Sequence, residues 1–323
     1  MNLSVTASPH IRGKDRTERI MLDVVIALVP AVAAGTWFFG PRALMVTLVS
    51  IAAALAAEWL LNLLLHRSNT LKDCSALVTG LLLALTLPAS VPYWLAAAGS
   101  AFAVMVVKGL CGGLGQNLFN PALAARALLL LLWPSWLVRY AAPGAELPLL
   151  GSPVDIATAA TPLHHMQIPA LPENSVLEML SGSIGGCIGE VSALALLLGA
   201  AYLIVRKVIS IRIPAAYLAT VGLLALMFHK TDQPVLWMVY SLLGGGVLLG
   251  AFFMATDYAT SPVTPKGQIL YGIGCGVLTV LFRYKGLFPE GVTYAILLMN
   301  ACVWLLDRYT APRRFGTKKG GAA

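Results

Sequence analysis

The stretch IMLDVVIALVPAVAAGTWFF, residues 20–39, decides the fold class, and ALMVTLVSIAAALAAEWLLNLLL, residues 43–65, repeats it almost at once. Each is about as long as the 20 or so apolar residues a helix needs to cross the hydrocarbon of a bilayer. Further apolar runs occupy residues 74–87, 93–110, 121–134, 184–205, 212–229, 234–256, 267–283 and 290–306, bounded by charge, Pro or Gly. Across all 323 residues, 58% are hydrophobic and only 11% charged, with a mean hydropathy of +0.80. That balance excludes a water-soluble domain of this size. Ten spans take about 200 residues, so no second large soluble domain fits. The expectation is an all-α integral membrane protein of about ten transmembrane helices in a lipid bilayer.

The net charge of +8 would suggest nucleic acid in a soluble protein. Here the basic residues crowd into the amino tail (Arg12, Lys14, Arg16, Arg19), the short loops at Arg67 and Lys72, at Arg206, Lys207 and Arg212, and at Lys266, and the carboxyl tail (Arg308, Arg313, Arg314, Lys318, Lys319). Positive charge stays on the cytoplasmic side, so both termini are expected inside and no nucleic acid is implied. The polar first 19 residues argue against a cleavable signal peptide. The resulting divisions are a tail 1–19, a first membrane half 20–134, an outer loop 135–183, a second membrane half 184–306 and a tail 307–323. On this topology Arg42, Arg139, Lys230, Arg283 and Lys285 fall in outer segments. The five cysteines show no CxxC spacing, so neither a metal nor an iron-sulfur site is encoded; they are expected to be small buried residues.

Two segments interrupt the helical pattern alike. Residues 112–121, GGLGQNLFNP, and 257–265, DYATSPVTP, each end in a Pro that can open a helix, with Asn120 or Thr264 positioned to cap it. Broken helices in corresponding halves suggest a two-fold internal repeat around a polar site; the alternative is two ordinary cytoplasmic turns. Residues 74–87 and 121–134 are short enough to re-enter rather than span.

The outer loop carries Asp155-Ile156-Ala157-Thr158-Ala159-Ala160-Thr161-Pro162-Leu163, where Pro162 biases Thr161 toward an extended backbone with its hydroxyl exposed and available. Alone, it also reads as a capped turn. The span near 184 opens with four glycines, Gly182, Gly185, Gly186 and Gly189, which allow close approach of a neighbouring helix or a flat ligand. Glu58, Lys108, Arg126, Glu190 and Asp257 are costly in hydrocarbon and should face the bundle interior. Glu58 and Glu190 are candidates for an ion path, Arg126 for an anion or flavin contact, and Lys108 and Asp257 for pairing or capping.

Taken in order, SPHIR (8–12), VVKGLCGGLGQNLFNPALAARA (106–127), the Asp155–Leu163 segment, GSIGGCIGEVSALALLLG (182–199) and ATDYATSPVTPKGQ (255–268) resemble RnfD, the subunit designated D of the Rnf ion-translocating electron-transport complex. That family is related to the subunit designated B of the sodium-pumping NADH:quinone reductase. The resemblance spans nearly the whole chain. It implies FMN joined by its phosphate to a threonine in a D-x-x-[ST]-[GS]-A-T segment. Asp155, Thr158, Ala160 and Thr161 match, with Thr161 the acceptor, while Ala159 departs from the usual Gly or Ser. It further implies a flavin transferase acting on the outer face of a bacterial inner membrane. Its other implied partners are iron-sulfur and second covalent-FMN subunits of a multi-subunit complex. A second, non-covalent flavin, riboflavin, is implied as well, and residues 112–121 and 257–265 are the candidates for its pocket. The expected function is therefore electron transport between ferredoxin and NAD coupled to Na⁺ or H⁺ translocation. The rival is an inverted-repeat channel or secondary transporter without redox chemistry.

Overall fold

The computed structural model describes residues 17–66, 70–109, 112–113, 115–145, 147–149, 161, 163, 171–172, 174–286 and 291–312. Among them the chain is helical, with an isolated bridge between Pro88 and Cys187.

Helices α1 (Thr17–Phe39) and α2 (Pro41–Leu64) are each long and apolar enough to cross a bilayer. Gly40 turns the chain between them at φ +74°, where a side chain would be strained. Pro41 then opens α2 at the position where a missing N–H costs nothing. Helix α3 (Ser75–Thr86) has only 12 residues, about 18 Å of rise, against about 30 Å of hydrocarbon. Helix α4 (Tyr93–Phe102) continues as a π-helical turn, Ala103–Lys108. Helix α5 (Pro121–Leu132) again has 12 residues, and the single turn α6 (Pro134–Leu137) follows it. The two short apolar runs therefore form half-length helices.

In the second half, α7 (Val176–Ser181) opens on a capping box between Ser175 and Glu178. Then come α8 (Ala193–Val205), α9 (Arg212–Met227), α10 (Pro234–Leu243) and α11 (Val247–Leu249), the last continued by the π-helical turn Gly250–Met254. Helices α12 (Pro265–Lys285), α13 (Val292–Ala301) and α14 (Val303–Thr310) complete the described chain. Three expected spans prove discontinuous. The run at 184–205 is helical only from Ala193, that at 234–256 bends by 59° between α10 and α11, and that at 290–306 is interrupted at Cys302. Hydropathy records burial in apolar surroundings and is blind to the continuity of the backbone.

The end of α3 and the segment before α8 cross inside the bundle. The Gly189 N–H donates to the Leu85 carbonyl at 2.8 Å and the Ile188 N–H to the Leu87 carbonyl at 3.0 Å. Helix ends leave unpaired carbonyls that hydrocarbon cannot satisfy, and here the other half of the chain supplies the donors. A β-carbon on Gly189 would lie 2.6 Å from Leu85 Cβ, so the crossing requires that glycine. Of the four glycines, Gly189 thus serves the backbone approach of a neighbouring segment. Small residues also close α9 on α12, where a β-carbon on Gly276 would meet Thr220 Cβ at 2.6 Å.

The main core runs through both halves, with Leu28, Leu83, Leu95, Leu123, Leu196, Phe253 and Tyr271 among its members. A satellite core gathers Leu163, Met179, Ile184, Ala225, Trp237 and Tyr240. Ile20 and Tyr258 line one cavity, and the Thr264 and Thr310 hydroxyls are hydrogen-bonded, so both described ends of the chain lie at one end of the bundle. The satellite core sits at the other. Exposed Trp37, Trp94 and Trp133 mark that far end, and Trp59 and Trp304 the near one, the arrangement of interfacial aromatic belts.

Candidate functional site

Two polar regions lie inside the bundle. The first, at the end holding the termini, is a cavity of about 70 Å³. Asn117, Asn120 and Pro121 line it from one broken segment, Asp257, Tyr258 and Ala259 from the other, with Val78, Leu82, Leu203, Phe252 and Phe253 as apolar walls. The two segments singled out from the sequence therefore meet. Asn120 Oδ1 accepts from the N–H groups of Ala122 (3.1 Å) and Leu123 (3.3 Å), capping α5, while its Nδ2 donates to the Met254 carbonyl at 3.3 Å. Thr264 Oγ1 likewise caps α12 by accepting from the Gly267 N–H at 3.1 Å. Asn117 is buried at the cavity wall, and its Oδ1 has no hydrogen-bond partner among the described residues. Asp257 accepts from the Ala259 N–H (3.4 Å) and the Thr260 hydroxyl (3.2 Å). Desolvation nonetheless pushes its carboxyl above the usual range.

Lys108 reaches the same cavity, and its Nζ lies 2.5 Å from Glu58 Oε1 and 2.5 Å from Ser75 Oγ. Thr70 adds a hydroxyl donor to Glu58 Oε1 at 2.7 Å. Lys108 thus pairs, as expected of it. Glu58 is its partner, and the other carboxylate oxygen of Glu58 is buried without a hydrogen bond among the described residues.

The second region surrounds the break between α10 and α11. Gly245 and Gly246 sit at φ +64° and +67°. The carbonyls freed there are gathered by Arg283 of α12, whose Nη1 donates to Ser241 O at 2.5 Å and Nη2 to Gly244 O at 2.8 Å. Leu163 packs on Gly245, where a β-carbon would lie 2.5 Å from Leu163 Cδ2, and a β-carbon on Gly246 would lie 2.5 Å from Glu190 Oε1. Glu190, Arg126, Thr86 and Thr293 line a small cavity of about 20 Å³ beside the break. Arg126 is buried on α5 and directs Nη1 and Nη2 at Cys187 Sγ, each at 3.5 Å.

Thr161 is only 6% exposed, which corrects the expectation of an exposed hydroxyl. Two positions on, Leu163 is drawn into the satellite core and holds that part of the segment down. Asp155, Thr158 and Ala160 lie outside the described residues. Cys187 and Cys275 are buried as expected, whereas Cys302 is exposed and Cys74 half-buried; Cys111 lies outside the described residues. Among the described residues no group of His, Cys, Asp and Glu could hold a metal ion.

Two arginines that the charge pattern assigns to outer segments turn inward instead. Arg283 is one. Arg42, 1% exposed, donates to the carbonyls of Ala89 (3.1 Å), Pro148 (2.5 Å) and Val91 (3.4 Å) and stacks on Tyr93. Both lie at the very edge of an apolar run, where a cation is equally able to face water or to reach back onto bare carbonyls.

The architecture defines a polytopic helical membrane protein whose half-length helix and glycine-rich segment meet inside the bundle, with a polar cavity toward each end. The profile of the NQR2, RnfD, RnfE family matches residues 4–316, and the chain belongs to that family. It is 47% identical to the subunit designated D of the Na(+)-translocating ferredoxin:NAD(+) oxidoreductase complex of Acetobacterium woodii, over 99% of this chain and 97% of that one. It is 40% identical to the corresponding subunit of the proton-translocating ferredoxin:NAD(+) oxidoreductase complex of Clostridium ljungdahlii, over 98% and 97%. With that of the ion-translocating oxidoreductase complex of Stutzerimonas stutzeri the identity is 39%, over 95% and 94%.

Proposed function

We propose that the chain is the RnfD-type membrane subunit of an ion-translocating ferredoxin:NAD oxidoreductase, incomplete as a catalyst alone, carrying FMN in phosphoester linkage on Thr161. The observation that carries the reading is family membership over residues 4–316, together with near-full-length relatives whose names state that activity. Flavin chemistry supplies the exchange between two-electron and one-electron carriers. Buried Thr161 would hold the group against the satellite core, away from water, with Asp155, Thr158 and Ala160 completing the attachment motif.

The second, non-covalent flavin, such as riboflavin, would lie between residues 112–121 and 257–265, where the space of about 70 Å³ is smaller than a flavin and the walls would have to part to admit it. Phe252, Phe253 and the aliphatic walls would take the ring, and the unsatisfied Asn117 Oδ1 would accept an N–H from its polar edge. Glu190 and the Glu58–Lys108 pair are the groups proposed to handle the ion. The relatives divide between sodium and proton in name, so identity at this level leaves the cargo to measurement.

Both termini would face the cytoplasm of a bacterial inner membrane and the Thr161 segment the outer side, where a flavin transferase would act. The distribution of basic residues supports this orientation. Iron-sulfur and second covalent-FMN subunits would supply ferredoxin and nicotinamide chemistry.

Denatured chain from its native host should show flavin fluorescence in the gel band, and the Thr161→Ala chain should be dark. A dark wild-type band, or an unmodified Thr161 peptide by mass, would favour a transporter without redox chemistry.

A further inference from the structure

Resting on the reading of Thr161 as the flavin site, we propose that the Gly245–Gly246 break couples that site to Glu190, making Glu190 the carboxylate whose cation occupancy follows the redox state. Two adjacent glycines each carry one contact. Gly245 bears Leu163, two residues from Thr161, and Gly246 bears the Glu190 carboxylate. Consecutive Cα atoms are about 3.8 Å apart, so a single peptide unit separates the two contacts.

That unit has little freedom to absorb a displacement. Arg283 grips the carbonyls on its α10 side, at Ser241, Gly244 and Gly245. Both glycine sites are filled to the point where a β-carbon would clash, and close-packed interiors transmit strain rather than dissipate it. A shift of Leu163 therefore reaches Glu190 by moving the start of α11. Along α10 regular helical bonding resists bending; the 59° break is where the direction of the backbone is set by contacts.

The surroundings of Glu190 suit exchange of a monovalent cation. Among the described residues Arg126 of α5 also lines its cavity, Arg283 of α12 stands behind Gly245, and Cys187 lies on its own segment. Helices α3 and α13 present the hydroxyls of Thr86 and Thr293. A proton or sodium ion entering here meets the carboxylate in a cavity that Arg126 also lines, with Thr86 and Thr293 beside it. One electron gained at the Thr161 group, from a one-electron carrier of the assembly, is matched by one cation gained at Glu190. Both leave when the electron passes to the next carrier. Linkage makes the effect reciprocal: whatever factor reduction adds to cation affinity, the cation adds to the tendency to reduce.

The test is a redox titration of the covalently bound flavin in the purified complex, at varied pH and varied Na⁺. The wild type should show a potential that rises with one of the two cations, a tenfold coupling corresponding to about 59 mV for one electron. Glu190→Gln should abolish that dependence. Leu163→Ala, which keeps the carboxylate but removes the contact on Gly245, should reduce it at least several-fold while the gel band stays fluorescent. A fluorescent band with the wild-type dependence intact in either variant overturns the proposal alone. A dark wild-type band removes the Thr161 reading on which it rests. Cation-dependent thermal stabilisation of the Thr161→Ala chain, lost on adding Glu190→Gln, gives a flavin-independent reading of the carboxylate; no difference between those two chains counts against it.

Discussion

Lys108 Nζ lies 2.5 Å from Glu58 Oε1, and the two side chains are 6% and 3% exposed. A cation and an anion so placed in a membrane bundle are tolerable only together, because each alone would be a buried charge without a counter-ion. Lys108→Ala should cost about 3–5 kcal/mol of stability, read from thermal and denaturant unfolding in detergent. The double replacement Glu58→Leu/Lys108→Met should recover most of that loss. If the double variant is the worse of the two, the pair is not what stabilises this end of the bundle.

Arg42 ties α2 to the carbonyls of Ala89, Val91 and Pro148, and so fastens the outer loop to the bundle. Hydrogen bonds to a charged group contribute about 1.5–3 kcal/mol each at most. Arg42→Ala should lower stability by about 3 kcal/mol and open residues 139–149 to protease added from the loop side. Unchanged cleavage kinetics would show that other contacts hold the loop.

Gly189→Ala and Gly222→Ala make a matched pair. The first puts a methyl 2.6 Å from Leu85 Cβ, whereas the second finds its nearest neighbours at 3.6 Å, an ordinary contact. Overpacking costs about 1–3 kcal/mol, so Gly189→Ala should lower the unfolding midpoint clearly. Gly222→Ala, on a helix where alanine is the better former, should leave it level or raise it.

Burial raises the Asp257 carboxyl above its ordinary value of 3.8. The folded chain therefore holds that proton over a wider pH range than the unfolded chain. Between the ordinary and the raised value, stability falls as pH rises, and above the raised value the full cost is present. Asp257→Asn should flatten that slope and be more stable than the wild type at neutral pH. The unfolding midpoint followed from about pH 4 to about pH 8 in both chains decides it; a slope of the opposite sign in the wild type would contradict the assignment.

Much of the fold was legible because bilayer crossing imposes a simple length rule on apolar runs: α1 and α2 appear within a few residues of their expected limits. The caps at Asn120 and Thr264 were legible too, since an N-cap and a following proline are local chemistry. What escaped was long-range. Nothing near Gly245 announces that Leu163 will lie against it, and the crossing of Leu85–Leu87 with Ile188–Gly189 depends on two distant segments arriving together. The burial of Leu163 escaped for the same reason: Ala225, Trp237 and Tyr240, which share its core, are remote in sequence.

The bridge between Pro88 and Cys187 also bears on how the chain is made. Synthesis delivers the amino-terminal portion first, and α3 then ends with carbonyls whose donors have yet to leave the ribosome. Lipid offers them nothing in the meantime. A polypeptide stopped after α6 has no finished resting state and should be cleared by quality-control proteases, and supplying the remainder as a separate polypeptide should rescue it.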